Sequence, residues 1–310
     1  MVVGQGMIRI GTRGSVLARE QTHRVVTALN RLAPDLECRT QIITTHGDVD
    51  QTTPLTVIGG QGVFAKELEA ALLAGEIDIA VHSVKDLTST LPDGLTIGAI
   101  VDRDDPRDAL VSRDGHLLKD LPAGARIGTS SRRRIIQSRR ARPDVEPVEF
   151  RGNIDTRLRK VEDGRVDAAI LAAAGIIRIG WRDRITEYLP LADFVPAPGQ
   201  GAMGVECRAN DDRLLELLAG LNKPELALAV DVERAFLRAV GGGCTSPIGA
   251  CAALESGIVT LRAMLADESM THLRYATRSA PEADALVMAG ELAGEMKRQR
   301  PEPVERRDRS

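Results

Sequence analysis

The chain has 310 residues, enough for two or three domains, and its 41 Lys and Arg against 44 Asp and Glu residues leave a formal net charge of −3. Its aromatic residues are four Phe, two Tyr and one Trp, which disfavours a nucleic-acid-binding protein because sequence-tolerant base stacking needs aromatic faces. No apolar run approaches the ~20 residues that span a bilayer, and the start shows no signal-peptide pattern. We therefore expect a cytoplasmic protein with reduced thiols and no membrane partner.

The first predicted unit is "IRIGTRGSVLAREQTHRVVTAL", which begins at Ile8. A short β-type run is followed by Gly-Thr, Arg13, Gly14, the hydroxyl residue Ser15 and then a helical pattern. A helix that starts directly after a strand in this way leaves its first backbone N–H groups free, so the turn can bind an anion.

The segment "ELEAALLAGEIDIAVHSVKDL" predicts a helix, a glycine cap at Gly75, and a buried strand after Asp78. Polar residues follow at the carboxyl end of that strand. Strand alternation would place Ser83 and Lys85 on one side and Asp86 on the other, unless the chain turns there. Asp86 is the one carboxylate that we expect in a cleft otherwise lined by cations.

Two other interpretations of this segment stay open. Lys85 and Asp86 could form a surface ion pair, which would contribute little. His82 is favoured as a structural histidine over a catalytic one, and no second His lies at helical spacing from it, so the sequence predicts no metal site.

The second unit repeats the first. "TIGAIVDRDDPRDALVS" predicts a crossing, after which "ARIGTSSRRRIIQSRR" and "RLRKVEDGRVDAAILAAAGI" give the same strand, turn, helix, glycine and strand. Seven arginines lie between Arg126 and Arg142. We expect a solvated helix face for Arg139, Arg140 and Arg142. Other arginines lie at the two helix starts: Arg132, Arg133 and Arg134 at the first, and Arg151 and Arg157 at the second. They favour a small ligand with several negative charges, since guanidinium binds carboxylate or phosphate bidentately.

The Pro- and Gly-rich stretch "DFVPAPGQGAMGVECR" predicts a crossing back to the first unit. Two α/β lobes joined by two crossings would hold a ligand in the cleft between them, where strand ends and helix N-termini meet. The predicted domains are residues 1–102 with 196–219, residues 103–195, and a small α+β domain over residues 220–310 that ends in a helix from about Glu282 to Arg298.

The third domain contains "ERAFLRAVGGGCTSPIGA", in which a helical pattern stops, three glycines follow, and Cys244 comes before a Thr-Ser-Pro sequence. A cysteine used for packing normally has apolar neighbours. That description fits Cys207 and Cys251, which lie within apolar strand-like runs, whereas Cys244 is predicted to be presented on an open loop.

Together these segments resemble the hydroxymethylbilane synthase (porphobilinogen deaminase) family of tetrapyrrole and haem biosynthesis. The matching motifs occur in order as "IGTRGS", "HSVKDL", "DPRDALVS", "GTSSRRR", "FRGNIDTRL", "LAAAGIIRIG", "PGQGAMGVECR" and "GGGCTSPIGA". The resemblance implies two periplasmic-binding-protein-like (type II) lobes and a small C-terminal domain. It also implies a transferase that joins four porphobilinogens head to tail, releasing ammonia, on a dipyrromethane attached to Cys244 by a thioether.

The resemblance further implies residue roles. Asp86 is the catalytic aspartate, which would hydrogen-bond pyrrole N–H groups and help to shuttle protons. Cys244 would bind the cofactor covalently, and Asp86 would also contact it. The other residues that would hold the cofactor are Ser83, Lys85, Thr129, Ser130, Ser131, Arg133, Arg134 and Arg151. The residues that would receive incoming or growing substrate are Arg13, Ser15, Arg157, Arg178 and Gln200.

Two departures from the family pattern stand out. Val57 and Gln61 occupy positions that are often lysine in a loop that could cover the cleft, and Arg132 stands where an aliphatic residue is common, so we expect it to point to solvent. The main rival is a non-catalytic bilobed protein that binds an anionic metabolite, which would have no use for Cys244 or Asp86. We expect a monomer whose partner is a small molecule and not a nucleic acid.

Overall fold

The computed structural model describes residues 6–49, 62–241 and 246–298. The strands are β1 Met7–Thr12, β2 Glu37–Ile42, β3 Ile79–Ser83, β4 Leu95–Arg103, β5 Asp108–Ser112, β6 Arg126–Gly128, β7 Glu146–Val148, β8 Ala168–Ala172, β9 Glu187–Tyr188, β10 Ala202–Arg208, β11 Ile248–Glu255, β12 Ile258–Ala266 and β13 Leu273–Pro281. The α-helices are α1 Val16–Leu32, α2 His46–Val49, α3 Lys66–Leu73, α4 Arg132–Ala141, α5 Ile154–Glu162, α6 Ala173–Arg178, α7 Asp212–Ala219, α8 Pro224–Val240 and α9 Ala285–Arg298.

Two five-stranded sheets share one plan. The first has the order β2-β1-β3-β10-β4 and the second β7-β6-β8-β5-β9. Four strands of each sheet run in the same direction, and one, β10 or β5, runs antiparallel between two of them. Each antiparallel strand arrives from the other sheet, across residues 104–107 or 189–201. The predicted repeat, the two crossings and the α/β class are therefore confirmed.

Equivalent aspartates tie the central strands of each sheet together. The Asp78 carboxylate accepts the backbone N–H of Arg9 at 2.8 Å, and the Asp167 carboxylate accepts that of Arg126 at 2.8 Å. Gly75 and Gly164 precede these aspartates with φ near +69°, a left-handed conformation that glycine adopts at no steric cost after a helix end. The two halves thus repeat in hydrogen bonding as well as in sequence.

The third sheet, β11-β12-β13, is antiparallel and packs its apolar face on α8 and α9. Glu233 of α8 is fully buried and fixes this unit to both crossings. Its carboxylate accepts the N–H of Gly199 at 2.6 Å and that of Ala252 at 2.7 Å, and it pairs with Arg103 at 2.8 Å. The small α+β unit is therefore positioned by the same segments that join the two larger sheets.

The predicted domain limits remain a proposal. The strands of each sheet lie inside them, except that β4 continues through Arg103, one residue past the proposed limit of the first lobe. The predicted last helix is confirmed as α9, preceded by a single 3₁₀ turn over Glu282–Asp284.

Candidate active site

The chain turns at the end of β3 and brings the polar residues of "HSVKDL" into a cleft. Val84–Asp86 forms one 3₁₀ turn, so the simple strand alternation, which separated Lys85 from Asp86, does not hold beyond Ser83. Val84, which is 1% exposed, holds the turn. It packs against Gly199 and Gly204, in the space that a Cβ atom at either position would occupy. Ser83 accepts a hydrogen bond from the Gln21 side chain at 2.9 Å.

The main cleft has a volume of about 180 Å³ and lies between the two larger sheets. It collects many of the predicted residues from both lobes. Those that line it are Arg13, Ser15, Ser83, Lys85, Asp86, Arg134, Arg157 and Arg178. The proposed catalytic carboxylate therefore shares one cavity with four arginines and a lysine.

The Asp86 carboxylate makes no direct hydrogen bond or ion pair within the described residues, although its charge acts on Lys85 and Arg157 nearby. It is therefore available to a ligand. Neighbouring Lys85 has its pKa lowered to about 8, chiefly because burial disfavours the charged ammonium; Asp86 opposes that shift and Arg134 adds to it. An anion bound here would raise the pKa of Lys85 again, because it favours the charged ammonium.

The cleft side of the first lobe is built at the start of α1. Ser15 is the N-cap residue, and its hydroxyl accepts the N–H of Ala18 at 3.3 Å. Arg13 pairs with Asp48 at 2.6 Å and lies over the ring of Phe64, 4.2 Å from its centroid. Arg13 is therefore held by its neighbours at the cleft wall.

The second lobe contributes two further cleft arginines, of which Arg157 is poorly compensated and Arg178 is paired. Arg157, near the start of α5, has a buried Nε with no hydrogen-bond partner among the described residues. Burial, together with the charges of Arg134 and Arg151, lowers the pKa of Arg157 to about 10. Arg178 bonds Asp104 at 2.6 Å and the carbonyl of Gly201, so it also anchors both crossings.

Asp108, fully buried at the start of β5, binds several of the predicted ligand-holding groups. It accepts from Arg133 at 2.6 Å, from Arg134 at 2.8 Å and from Gln200 at 2.8 Å. These arginines hold the pKa of Asp108 well below its usual range despite its burial. Gln200 is 1% exposed and does not line the main cleft. Its contacts within the described chain are structural ones.

A smaller cavity of about 40 Å³ adjoins the turn. Its polar lining comprises Lys85, Ser131, Arg133, Arg234 and Ser246. Cys244 itself lies outside the described residues, as do Val57 and Gln61, but Ser246 lies two positions from it in the chain. Arg234, which also donates to the Thr88 carbonyl at 2.9 Å, was missed by sequence analysis because it sits inside an ordinary helical pattern.

The other predicted cofactor residues line neither cavity. Thr129 is 2% exposed and accepts the N–H of Ser131. Ser130 exchanges hydrogen bonds with the backbone of Phe150. Arg151 is buried next to the cleft residue Gly152. Their proposed contacts with a cofactor remain proposals.

Arg132 lines neither cavity, and its exposed hydrogen bond to the Glu268 carbonyl keeps it outside the site, as expected. Two other sequence expectations were wrong. Arg142 is not on a solvated face: it is 5% exposed and donates to the carbonyls of Leu118 and Leu121. Asp86 is not the only carboxylate in the cleft, because Asp155 of α5 also lines it. Asp155 belongs to the motif "FRGNIDTRL", in which nothing local distinguishes it from an ordinary acidic residue in the first turn of a helix.

The cysteine and histidine expectations were correct where they can be checked. Cys207 and Cys251 are buried, and burial raises their pKa to about 11 and about 12, so neither thiol is reactive. His82 is 5% exposed and contacts Glu206. No helix in the described part of the chain has the length and apolar character needed to cross a bilayer.

Comparison with known proteins identifies the family of this chain. Residues 8–216 match the model "Porphobilinogen deaminase, dipyromethane cofactor binding domain", and residues 227–298 match "Porphobilinogen deaminase, C-terminal domain". Porphobilinogen deaminase of Syntrophobacter fumaroxidans is 49% identical over 94% of both chains, and that of Moorella thermoacetica is 47% identical over 92% of both. A solved periplasmic binding protein of Salmonella typhimurium with high arginine specificity is similar over 71% of this chain and 96% of its own, with 15% identity and a TM-score of 0.41. The chain belongs to the porphobilinogen deaminase family.

Proposed function

We propose that the main cleft is where this chain joins porphobilinogen molecules, with Asp86 as the catalytic residue. The family's activity, hydroxymethylbilane synthase, condenses four porphobilinogens into a linear tetrapyrrole with loss of ammonia. The observation that supports the assignment of the site is that Asp86, without an ion partner in the described chain, shares one cavity with Lys85 and arginines from both lobes.

The dipyrromethane cofactor fits the residues that surround the turn. Each of its two pyrroles carries an acetate and a propionate, and the cavities on either side of Lys85 present Arg133, Arg134 and Arg234. The buried, unpartnered Nε of Arg157 is a further donor that such a polyanion would satisfy. We propose that Ser83, Lys85, Ser131, Arg133 and Arg134 hold the cofactor attached to Cys244. When bound, it supplies the free pyrrole carbon to which the first substrate is joined.

Asp86 would act on charge that develops during the reaction. Porphobilinogen becomes a positively charged, electron-poor pyrrole when its amine departs, and a fixed carboxylate stabilises that charge without the reorganisation that water requires. The same carboxylate can accept the proton that leaves the attacking carbon. Arg13, Ser15, Arg157 and Arg178 would orient the substrate through its two carboxylates.

A porphobilinogen-consumption assay tests this function. We expect the purified protein to release one ammonia per porphobilinogen consumed. Asp86→Asn removes the charge with little change of shape and should lower kcat on the order of 10²–10³-fold, whereas Asp155→Asn, the matched change at the other cleft carboxylate, should stay close to wild type. Wild-type turnover by Asp86→Asn would remove that residue from the mechanism, and no consumption by the unaltered protein would end the assignment.

Three further proposals concern the whole protein. We place it in the cytoplasm, which suits the free thiols of Cys38, Cys207 and Cys251. We propose a monomer, since the cleft is assembled from a single chain, and a small-molecule partner in place of a nucleic acid. The alternative of a non-catalytic anion-binding protein does not fit the porphobilinogen deaminase family to which the chain belongs, and release of ammonia in the same assay would exclude it directly.

A further inference from the structure

Three buried titratable side chains meet on the first sheet, behind the strand that leads to Asp86. Glu69 of α3 and His82 of β3 are each 5% exposed, and Glu206 of β10 is fully buried. Nε2 of His82 lies 2.9 Å from Oε2 of Glu206. Apart from this contact, neither oxygen of Glu206 nor Oε1 of Glu69 accepts a hydrogen bond from the residues that the structure describes.

Burying two carboxylates beside one imidazole is costly unless the charges are balanced. The charged groups acting on Glu69 are Glu206 from β10, His82 from β3, and Lys66 and Glu67 from its own helix. Burial is the largest effect and the Glu206 charge the next, and together they raise the pKa of Glu69, with His82 and Lys66 opposing them. A proton on Glu69 removes one of the two negative charges that would otherwise be buried together beside His82.

The cluster joins the elements from which the catalytic turn projects. His82 is opposite Gly204 in the register of β3 and β10, and Glu206 is opposite Ala80. The chain continues from His82 through Ser83 into the turn that carries Lys85 and Asp86. A shift between these two strands would therefore move Asp86 relative to the arginines of the opposite lobe.

We propose that His82 and Glu206 are positioning residues that hold the end of β3, and with it Asp86, in place, and that Glu69 lies beside this pair as a neutral acid. The kinetic part of this inference rests on the proposed role of Asp86, whereas the protonation of Glu69 does not.

Thermal unfolding as a function of pH tests the protonation. Because its pKa is raised, Glu69 keeps its proton in the folded chain at pH values above its ordinary value of 4.5, where the unfolded chain releases it. The contribution of the Glu69 proton to the free energy of unfolding is fully present below pH 4.5. It is lost as the pH rises towards the pKa of Glu69 in the folded chain. Glu69→Gln mimics the neutral acid, so its Tm should equal that of wild type near pH 4.5 and exceed it by roughly 2–4 °C at higher pH. A Tm difference that does not change with pH would overturn the proposal.

Steady-state kinetics test the positioning. We expect Glu206→Gln to lower kcat about tenfold with KM for porphobilinogen nearly unchanged, because the cleft cations are untouched, while Glu69→Gln keeps the wild-type kcat. If Glu206→Gln does not fold, His82→Asn tests the same pair, and we expect the same fall in kcat. A wild-type kcat in both pair variants would overturn the positioning role. Wild-type turnover by Asp86→Asn would instead show that the mechanism, and not the cluster, is wrong.

Discussion

Lys85 is the residue that links the two cavities of the site, since it lines both the main cleft and the smaller cavity near Ser246. Its pKa of about 8 arises mainly from burial, with Arg134 and Arg133 adding like charge nearby. Cofactor carboxylates bound beside Lys85 would raise this pKa again, because a nearby anion favours the charged ammonium. The pKa of Lys85 should therefore respond to cofactor binding.

The pH dependence of stability should reveal this coupling. In a Cys244→Ala protein, which lacks the attachment thiol, Lys85 is neutral when folded and charged when unfolded between pH about 8 and 10.5. The unfolded chain binds more protons in that window, so the free energy of unfolding should rise with pH. Adding Lys85→Met should remove this slope in urea unfolding, whereas Lys223→Met, at an exposed lysine, should not. The cofactor-loaded protein should also lack the slope, and a slope that persists there would contradict the proposed contact.

Sequence motifs located most of the charged residues that line the cleft, because most of these lie at a strand end or a helix start whose position the hydrophobic pattern predicts. Burial of individual arginines could not be predicted. Arg133 donates to Asp108, which is 25 positions away in the chain, and Arg142 donates to the carbonyls of Leu118 and Leu121. Such pairings depend on how elements pack, which no local pattern records.

At the scale of elements, the 3₁₀ turn Val84–Asp86 decides the geometry of the site. Val84 occupies the space left by two glycines of the return crossing and β10. Alternation along β3 correctly described the strand up to Ser83 but not the turn, because the turn is set by these glycines more than a hundred residues later. Packing of Val84 thus converts a strand end into a platform for Lys85 and Asp86.

Gly204→Ala should disturb this platform. A Cβ at Gly204 would lie 2.9 Å from Cγ2 of buried Val84, so the turn has to move. We expect a loss of about 1–3 kcal/mol in unfolding free energy and a fall in kcat of roughly tenfold or more, since small displacements of reacting groups are costly. Gly290→Ala in α9, where a Cβ meets no atom within 4 Å, is the matched control and should leave kcat unchanged. Equal kcat values for the two variants would show that Val84 does not position Asp86.

For the whole molecule, the repeated sequence units predicted two equivalent sheets and two crossings, and the structure has both. The repeat could not show how the crossings are fixed, because this depends on buried groups brought together from distant segments: Asp108 binds Gln200, Asp104 binds Arg178, and Glu233 binds Gly199. These contacts tie all three sheets to the segments beneath the cleft. The arrangement suits a site assembled from three parts of one chain.

The central claim is that this cleft holds a dipyrromethane cofactor attached to Cys244. Intact mass spectrometry of the purified protein tests it most directly. We predict a single species heavier than the bare chain by one dipyrromethane, with the added mass absent from Cys244→Ser. A fully active preparation with the mass of the unmodified chain would contradict the account.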